Sequence, residues 1–377
     1  MADAAHRPVY LDCAATTPVD ARVRDEVLLY LEDEFGNAGS RTHEYGRRAR
    51  EAVEVARNRV AAVVKASRGD VFFTSGATES NNLAILGLST ESERRHIVTS
   101  RIEHHAVLEP VSELERRGFD VTYLSPETGG WIASEAVRDW LRSDTVLVSI
   151  MHANNETGVL QPVAAIADAI GDHPAFFHVD AAQGFGKDIA PLEHPRIDMI
   201  SVSGHKIHAP KGVGALILRR RNGQRPPVQP LLYGGGQERG LRPGTLPVHL
   251  IAGFGKAAEL ALVEWPARDR CCRAFRERLL EGLAPLGPII HGDSARSLPN
   301  IVNLSIPGVD SESAMEAWSD YVAISDGAAC TSASYTCSHV LSAMRLPEEQ
   351  IAGALRFSWC HTSSLPDFAG MIKAIRS

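Results

Sequence analysis

Between Val71 and Leu218 the apolar residues gather in short unbroken runs, at Val71–Thr74, 96–99, 121–124, 145–150, 175–179, 199–202 and Gly214–Leu218. Runs of this length without polar alternation suit strands covered on both faces, as in a parallel sheet. Helical patterns starting at Glu79, His105 and Val163 fall between them and supply the cover. The class predicted is α/β, with a mostly parallel central sheet flanked by helices. Ahead of the sheet, Ala49, Ala52, Val53, Ala56, Val60 and Val63 line one stripe of residues 44–64, an amphipathic helix. Residues 224–247 lose all periodicity, are rich in Gly and Pro and include Gly234-Gly235-Gly236, which reads as a functional loop closing the sheet unit. Beyond Ile251 a helical pattern runs to about Gly282. Strand-like runs at 301–306, 322–325 and 354–359 follow with helical segments between them, a second and smaller α+β unit. No repeat of solenoid period and no low-complexity tract interrupts this plan.

Composition narrows the function classes. A chain of 377 residues with 44% apolar content can bury a large core in roughly two domains. No apolar stretch approaches the ~20 residues that span a bilayer, and nothing near Met1 resembles a signal peptide, so a soluble cytoplasmic protein is expected. Lysine and arginine total 39 against 46 acidic residues, a net charge of −7, which argues against direct nucleic-acid binding. The local run Arg219-Arg220-Arg221 reads as a solvated turn at a strand end. Six cysteines in such a chain suit thiols with packing or chemical roles better than a disulfide framework.

Two strand ends deliver an acid and an amine. His178-Val179-Asp180-Ala181-Ala182-Gln183 closes one apolar run and Ser203-Gly204-His205-Lys206 closes the next. A carboxylate for a ring nitrogen and a lysine able to form a Schiff base are what a protein supplies to pyridoxal phosphate. Taken alone, Asp180 and Lys206 read equally well as a buried ion pair. Thr74-Ser75-Gly76-Ala77-Thr78-Glu79 hands a strand over to a helix, where unsatisfied backbone N–H groups and the Thr78 hydroxyl can hold a phosphate. The same residues also make an ordinary helix cap.

Further segments carry a resemblance: Val9-Tyr10-Leu11-Asp12 with Ala15-Thr16-Thr17-Pro18, Ser149-Ile150-Met151-His152-Ala153-Asn154-Asn155-Glu156, and residues 240–248. With the motifs above, the chain resembles the cysteine desulfurases of the NifS/IscS type, within the class V aminotransferases, nearly end to end. The resemblance implies a fold-type-I pyridoxal phosphate enzyme and a homodimer that converts L-cysteine to L-alanine and leaves sulfur on an enzyme cysteine as a persulfide. It implies a large cofactor-binding domain over 16–260 and a small domain of 1–15 plus 261–377 that carries the catalytic cysteine loop. Lys206 would hold the cofactor and move protons, Asp180 would keep the pyridine nitrogen protonated, and Gln183 would bond the phenolic oxygen. His104, in Ile102-Glu103-His104-His105, would stack on the ring and serve as acid or base. Ala77, Thr78, Ser203 and His205 would hold the phosphate, with Thr245 completing the cup from the other subunit. Asn155 and Arg356 would bind the substrate, the guanidinium offering a planar pair of donors to its carboxylate.

The sulfur-carrying residue expected is Cys330, in a loop of small residues, Ser325-Asp326-Gly327-Ala328-Ala329-Cys330-Thr331-Ser332-Ala333-Ser334, where a thiol has room to reach the substrate and then an acceptor protein. Cys13, standing where relatives usually carry an aromatic residue, is expected to line the pocket; Cys271 and Cys272 are read as packing or surface thiols. Cys337 and Cys360 could join Cys330, His339 and His361 around zinc, but without a closely spaced ligand pair no metal site is expected. Three segments depart from the family pattern: Asp326 to Ala329, Asn37-Ala38-Gly39-Ser40 and Trp359-Cys360-His361. These touch the approach to Cys330 and its docking surface, not the cofactor apparatus. With few residues following Arg356, the chain suggests a dedicated acceptor, compatible with the branch serving DNA phosphorothioation as well as with iron–sulfur cluster assembly. Selenocysteine lyase is the alternative enzyme, and a decayed scaffold in a sulfur-transfer complex the non-enzymatic one.

Overall fold

The structure, a computed structural model, describes residues 7–88, 94–326 and 337–376. Cys330 and its flanking small residues lie outside the described residues.

Seven strands form the large sheet, in the order Val71–Thr74, Gly214–Leu218, Met199–Ser203, Phe176–Asp180, Thr145–Met151, His96–Ser100, Asp120–Leu124. The last five pair in parallel, and Gly214–Leu218 runs antiparallel to both of its neighbours. The continuous apolar runs explain the burial: Val71–Thr74, Thr145–Met151, Met199–Ser203 and Gly214–Leu218 are buried at every position. Helices Ala77–Leu86, His105–Arg116 and Val163–Ile170 connect the strands as their spacing predicts. The amphipathic helix Glu44–Val63 packs against the long helix Val248–Leu283, so closely that a side chain at Gly255 would stand 2.5 Å from the Ala56 Cα. No described helix is long and apolar enough to cross a membrane.

A second sheet of three antiparallel strands, Ile289–His291, Ile301–Ser305 and Ala354–Ser358, has its own core around Trp318, Phe357 and Trp359. The short strand Val9–Tyr10 pairs in parallel with Val322–Ala323 beside it. The strand expected over 322–325 is thus only two residues long, with Ser325 adding an isolated bridge to Arg356.

One expectation fails. Arg219 is buried rather than part of a solvated turn, and its guanidinium donates to the carbonyls of Val64, Leu192 and His194. The planar fork supplies donors to the Val64 and Leu192 carbonyls and adds a second one to His194 O, which also accepts the Ile197 N–H.

Candidate functional site

The register of the large sheet sets its functional ends along one edge. Thr74 pairs with Gly214, which pairs with Ser203, and Asp180 pairs with Ser201 on one side and Met151 on the other. Carboxyl ends of parallel strands are where open α/β sheets bind ligands. Here they border a cavity of about 530 Å³ lined by Gly76, Ala77, Thr78, His104, Asn155, Asp180, Gln183, Ser203, His205, Lys206 and Arg356. The structure therefore brings together every expected site residue among the described ones except Thr245, which sits exposed on the loop before Val248–Leu283.

Asp180 is buried at the end of its strand. Its Oδ2 accepts from Asn81 Nδ2 at 2.7 Å and its Oδ1 from the Ala182 backbone N–H at 2.9 Å. Two donors hold the carboxylate still and leave lone pairs toward the cavity it lines. Asn81 escaped the sequence reading, although it lies one helical turn beyond Thr78 and shares its face. Lys206 follows Met199–Ser203 in a short 3-10 turn and its amine donates to the carbonyls of Ala14 at 2.5 Å and Ala15 at 2.8 Å. Gln183 gives one Nε2 hydrogen to Ala14 O at 2.9 Å and has a second to offer.

The phosphate corner depends on bare backbone. A side chain at Gly214 would come within 2.7 Å of the Gly76 Cα, so the strand and the corner touch. Helix Ala77–Leu86 then begins with its N–H groups at the cavity wall, beside the Ser203 and Thr78 side chains. Glu79 takes the Ser75 N–H at 2.7 Å and Arg242 Nε at 2.8 Å, which ties the loop carrying Thr245 to this corner.

Both histidines in the cavity are kept neutral. Burial pushes His104 below its ordinary value, helped by the Lys206 charge and opposed by Asp180, while its Nδ1 accepts from the Ala106 N–H at 3.0 Å and caps helix His105–Arg116. Burial, with Lys206 and Lys211, lowers His205 to about 4. Its Nδ1 lies 3.2 Å from Thr16 Oγ1. Arg356, on the small sheet, donates to Asn155 O at 3.0 Å and to Asp12 Oδ1 at 2.8 Å; its buried Nε has no hydrogen-bond partner among the described residues. A buried guanidinium N–H at a cavity wall is an anchor for an anion.

These residues fit pyridoxal phosphate: a fixed carboxylate, an amine, an amide donor and a helix N-terminus converge on one space. The thiols distribute otherwise than expected. Cys13 is buried but does not line this cavity. Cys272 is buried, whereas Cys271 and Cys337 are exposed. His339 bonds Glu103 O at 2.9 Å, apart from Cys360 and His361, so the imagined grouping of these two histidines does not form.

The aminotransferase class-V family model matches residues 9–367. Cysteine desulfurase IscS of Serratia proteamaculans is 45% identical over 356 residues, covering 93% of this chain and 87% of its own. The crystal structure of DndA from Streptomyces lividans is 52% identical with a TM-score of 0.82, over 94% of this chain and all of that one. A structure of SspA in complex with cysteine is 36% identical with a TM-score of 0.81, over 93% and 98% of the two chains.

Proposed function

The chain belongs to the aminotransferase class-V family and is a pyridoxal-phosphate-dependent cysteine desulfurase, and from there we propose how its residues divide the work. The bound cofactor supplies an electron sink for a carbanion at the substrate Cα. Lys206 would hold the cofactor and, as a free amine, would move the Cα proton. Asp180, steadied by Asn81 and the Ala182 N–H, keeps a proton on the ring nitrogen. Gln183 donates to the phenolic oxygen, and Ala77, Thr78, Ser203 and His205 bind the phosphate. His104, kept neutral by burial, would pack on the cofactor ring and serve as an acid or base. Arg356 and Asn155 hold the L-cysteine carboxylate, for which their place in the wall of the cavity is the supporting observation.

Cys330, as a thiolate, would form an S–S bond to the substrate sulfur as the Cβ–S bond breaks; the electron pair stays on carbon, which takes up a proton to give alanine, and a thiol of an acceptor protein then takes the outer sulfur of the persulfide. A homodimer in which Thr245 completes the second subunit's phosphate cup fits its exposure here, and a small domain of 1–15 and 261–377 beside a large domain of 16–260 is supported by the cluster around Trp318 and Phe357, whose buried members all fall within the small domain's bounds. The enzyme works in the cytoplasm. Sulfur for DNA phosphorothioation is the pathway favoured by the likeness to DndA at 52% identity, and iron–sulfur assembly is the second reading on the likeness to IscS at 45%.

The observation that carries this assignment is the convergence of Asp180, Lys206, His104 and Arg356 on one cavity beside a helix N-terminus. Under reductant, L-cysteine should yield L-alanine and sulfide in equal amounts. A Cys330→Ala variant should retain the cofactor spectrum and lose sulfide release. Full-rate release by that variant would remove Cys330 from the reaction.

A further inference from the structure

Behind Lys206 three separate segments bring sulfur and imidazole side chains together. His208 follows Lys206 by two residues, Cys360 and His361 follow the strand Ala354–Ser358, and Cys13 precedes Ala14, whose carbonyl receives the Lys206 amine. One ligand atom from each of His208, Cys360 and His361 lies within 4.8 Å of the others. These three border a small cavity of about 20 Å³ in which Lys206 is the one residue shared with the cofactor cavity. Such a volume holds one water-sized particle and no organic ligand.

We propose that Cys360, His208 and His361, with a water in the small cavity as fourth ligand, bind one thiophilic divalent cation of the zinc class. One thiolate and two neutral imidazoles make a three-ligand set that zinc takes tetrahedrally when a water fills the fourth position. Zn–N near ~2.0 Å and Zn–S near ~2.3 Å place ligand atoms roughly 3.3–3.8 Å apart, so side-chain movements of about 1 Å close the site. An independent observation concerns His208, whose Nδ1 sits 2.9 Å from Pro18 O. A carbonyl only accepts, so Nδ1 carries the hydrogen and Nε2 presents its lone pair, the arrangement that orients metal-binding histidines. Thr362 Oγ1 at 3.2 Å and Ser363 Oγ at 3.7 Å hold the Cys360 sulfur in place.

The charges around the cavity select the ion. Arg268 lines it but is paired with Glu264 at 2.8 Å and Asp20 at 3.5 Å. Lys187 is buried, lines it too, and its Nζ has no hydrogen-bond partner among the described residues. Hard ions such as Mg²⁺ or Ca²⁺ need several oxygen ligands, which this set lacks. The Cys360 thiolate offsets part of the charge of a dication that bonds sulfur strongly, and Lys187, within electrostatic reach of Cys360, offers it a counter-charge when no ion is bound. Sequence spacing hid the site because its ligands stand at positions 208, 360 and 361.

The test uses reduced, chelator-treated holoenzyme carrying Cys330→Ala, so that the loop thiol adds no ligand, titrated anaerobically with Co²⁺. Expected are one ion per chain, tetrahedral visible bands, a thiolate-to-cobalt charge-transfer band and displacement by Zn²⁺. Adding Cys360→Ala should abolish the charge-transfer band or lower its intensity by more than half and weaken binding at least tenfold. His361→Asn, at a half-buried position, should also weaken binding at least tenfold while the cofactor spectrum stays unchanged. No binding, binding without charge transfer, or an unchanged signal in either variant would overturn the proposal. So would a chain that binds no Co²⁺ yet forms a Cys13–Cys360 disulfide with glutathione disulfide, which would mark a redox thiol pair only.

Discussion

Replacing Glu238 by Gln tests how the loop over 224–247 is fastened to the phosphate corner. Glu238 is buried and reaches from that loop to Arg57 on helix Glu44–Val63, with oxygens 2.7 and 2.8 Å from the two guanidinium nitrogens, and it accepts the Phe73 N–H at 2.7 Å. Phe73 lies on the strand that ends at Thr74, two residues before Gly76, and the Arg57 guanidinium packs 4.8 Å over its ring. The amide keeps one acceptor but turns an NH₂ toward a donor and leaves the Arg57 charge uncompensated in the interior. Removing one partner of a buried pair costs about 3–5 kcal/mol. The half-exposed Glu54, 3.1 Å from Arg57, offsets part of that charge and points to the lower end of that span, about 3 kcal/mol. At a urea dependence of ~3 kcal/mol per molar, the unfolding midpoint should fall by about 1 M. Urea titration at neutral pH, followed by tryptophan fluorescence and cofactor absorbance together, reads the shift. A Glu238→Leu/Arg57→Met double variant should recover more than half of it, since an apolar pair leaves no buried charge. A single-variant midpoint within roughly 0.2 M of the parent would refute the clamp.

Two other perturbations follow from the site. Burial raises the Glu103 carboxyl to about 8, so the folded protein keeps a proton that the unfolded chain releases near its ordinary 4.5. Stability from this group is full below about 4.5 and is lost as pH rises toward 8, at up to ~1.4 kcal/mol per pH unit. Glu103→Gln should remove that decline, so the variant gains on the parent between pH 5 and 8 in urea midpoints; parallel profiles would contradict it. Arg356→Lys deletes the planar donor set, and a charged hydrogen bond worth about 1.5–3 kcal/mol predicts a KM for L-cysteine raised roughly 10- to 150-fold with an unchanged cofactor spectrum. An unaltered KM would place the substrate carboxylate elsewhere.

The central strands were legible because burial on both faces writes itself as unbroken apolar runs: Val71–Thr74 and Gly214–Leu218 match their predicted bounds, four others differ by one residue at one end, and Phe176–Asp180 is shifted by one residue at both. The strand Ile289–His291 was missed, being three residues long and only partly buried. Asp180 and Lys206 stood out because strand ends announce them, whereas Asn81 is one polar residue in a helix and becomes visible only when its amide meets Asp180. Arg219 was misread because charge alone does not reveal the three backbone carbonyls that its guanidinium meets. The Cys13 and Cys360 contact joins residues 347 positions apart, a separation no local pattern records.

Lys206 as the cofactor lysine is the assignment on which the rest of the site depends. Borohydride reduction of the holoenzyme followed by peptide mass mapping tests it most directly. One phosphopyridoxyl group per chain, on the peptide containing Lys206 and absent from Lys206→Ala, is the expected result. The same label on Lys187 or Lys211, which line the neighbouring walls, or an unchanged yield in Lys206→Ala, would contradict it.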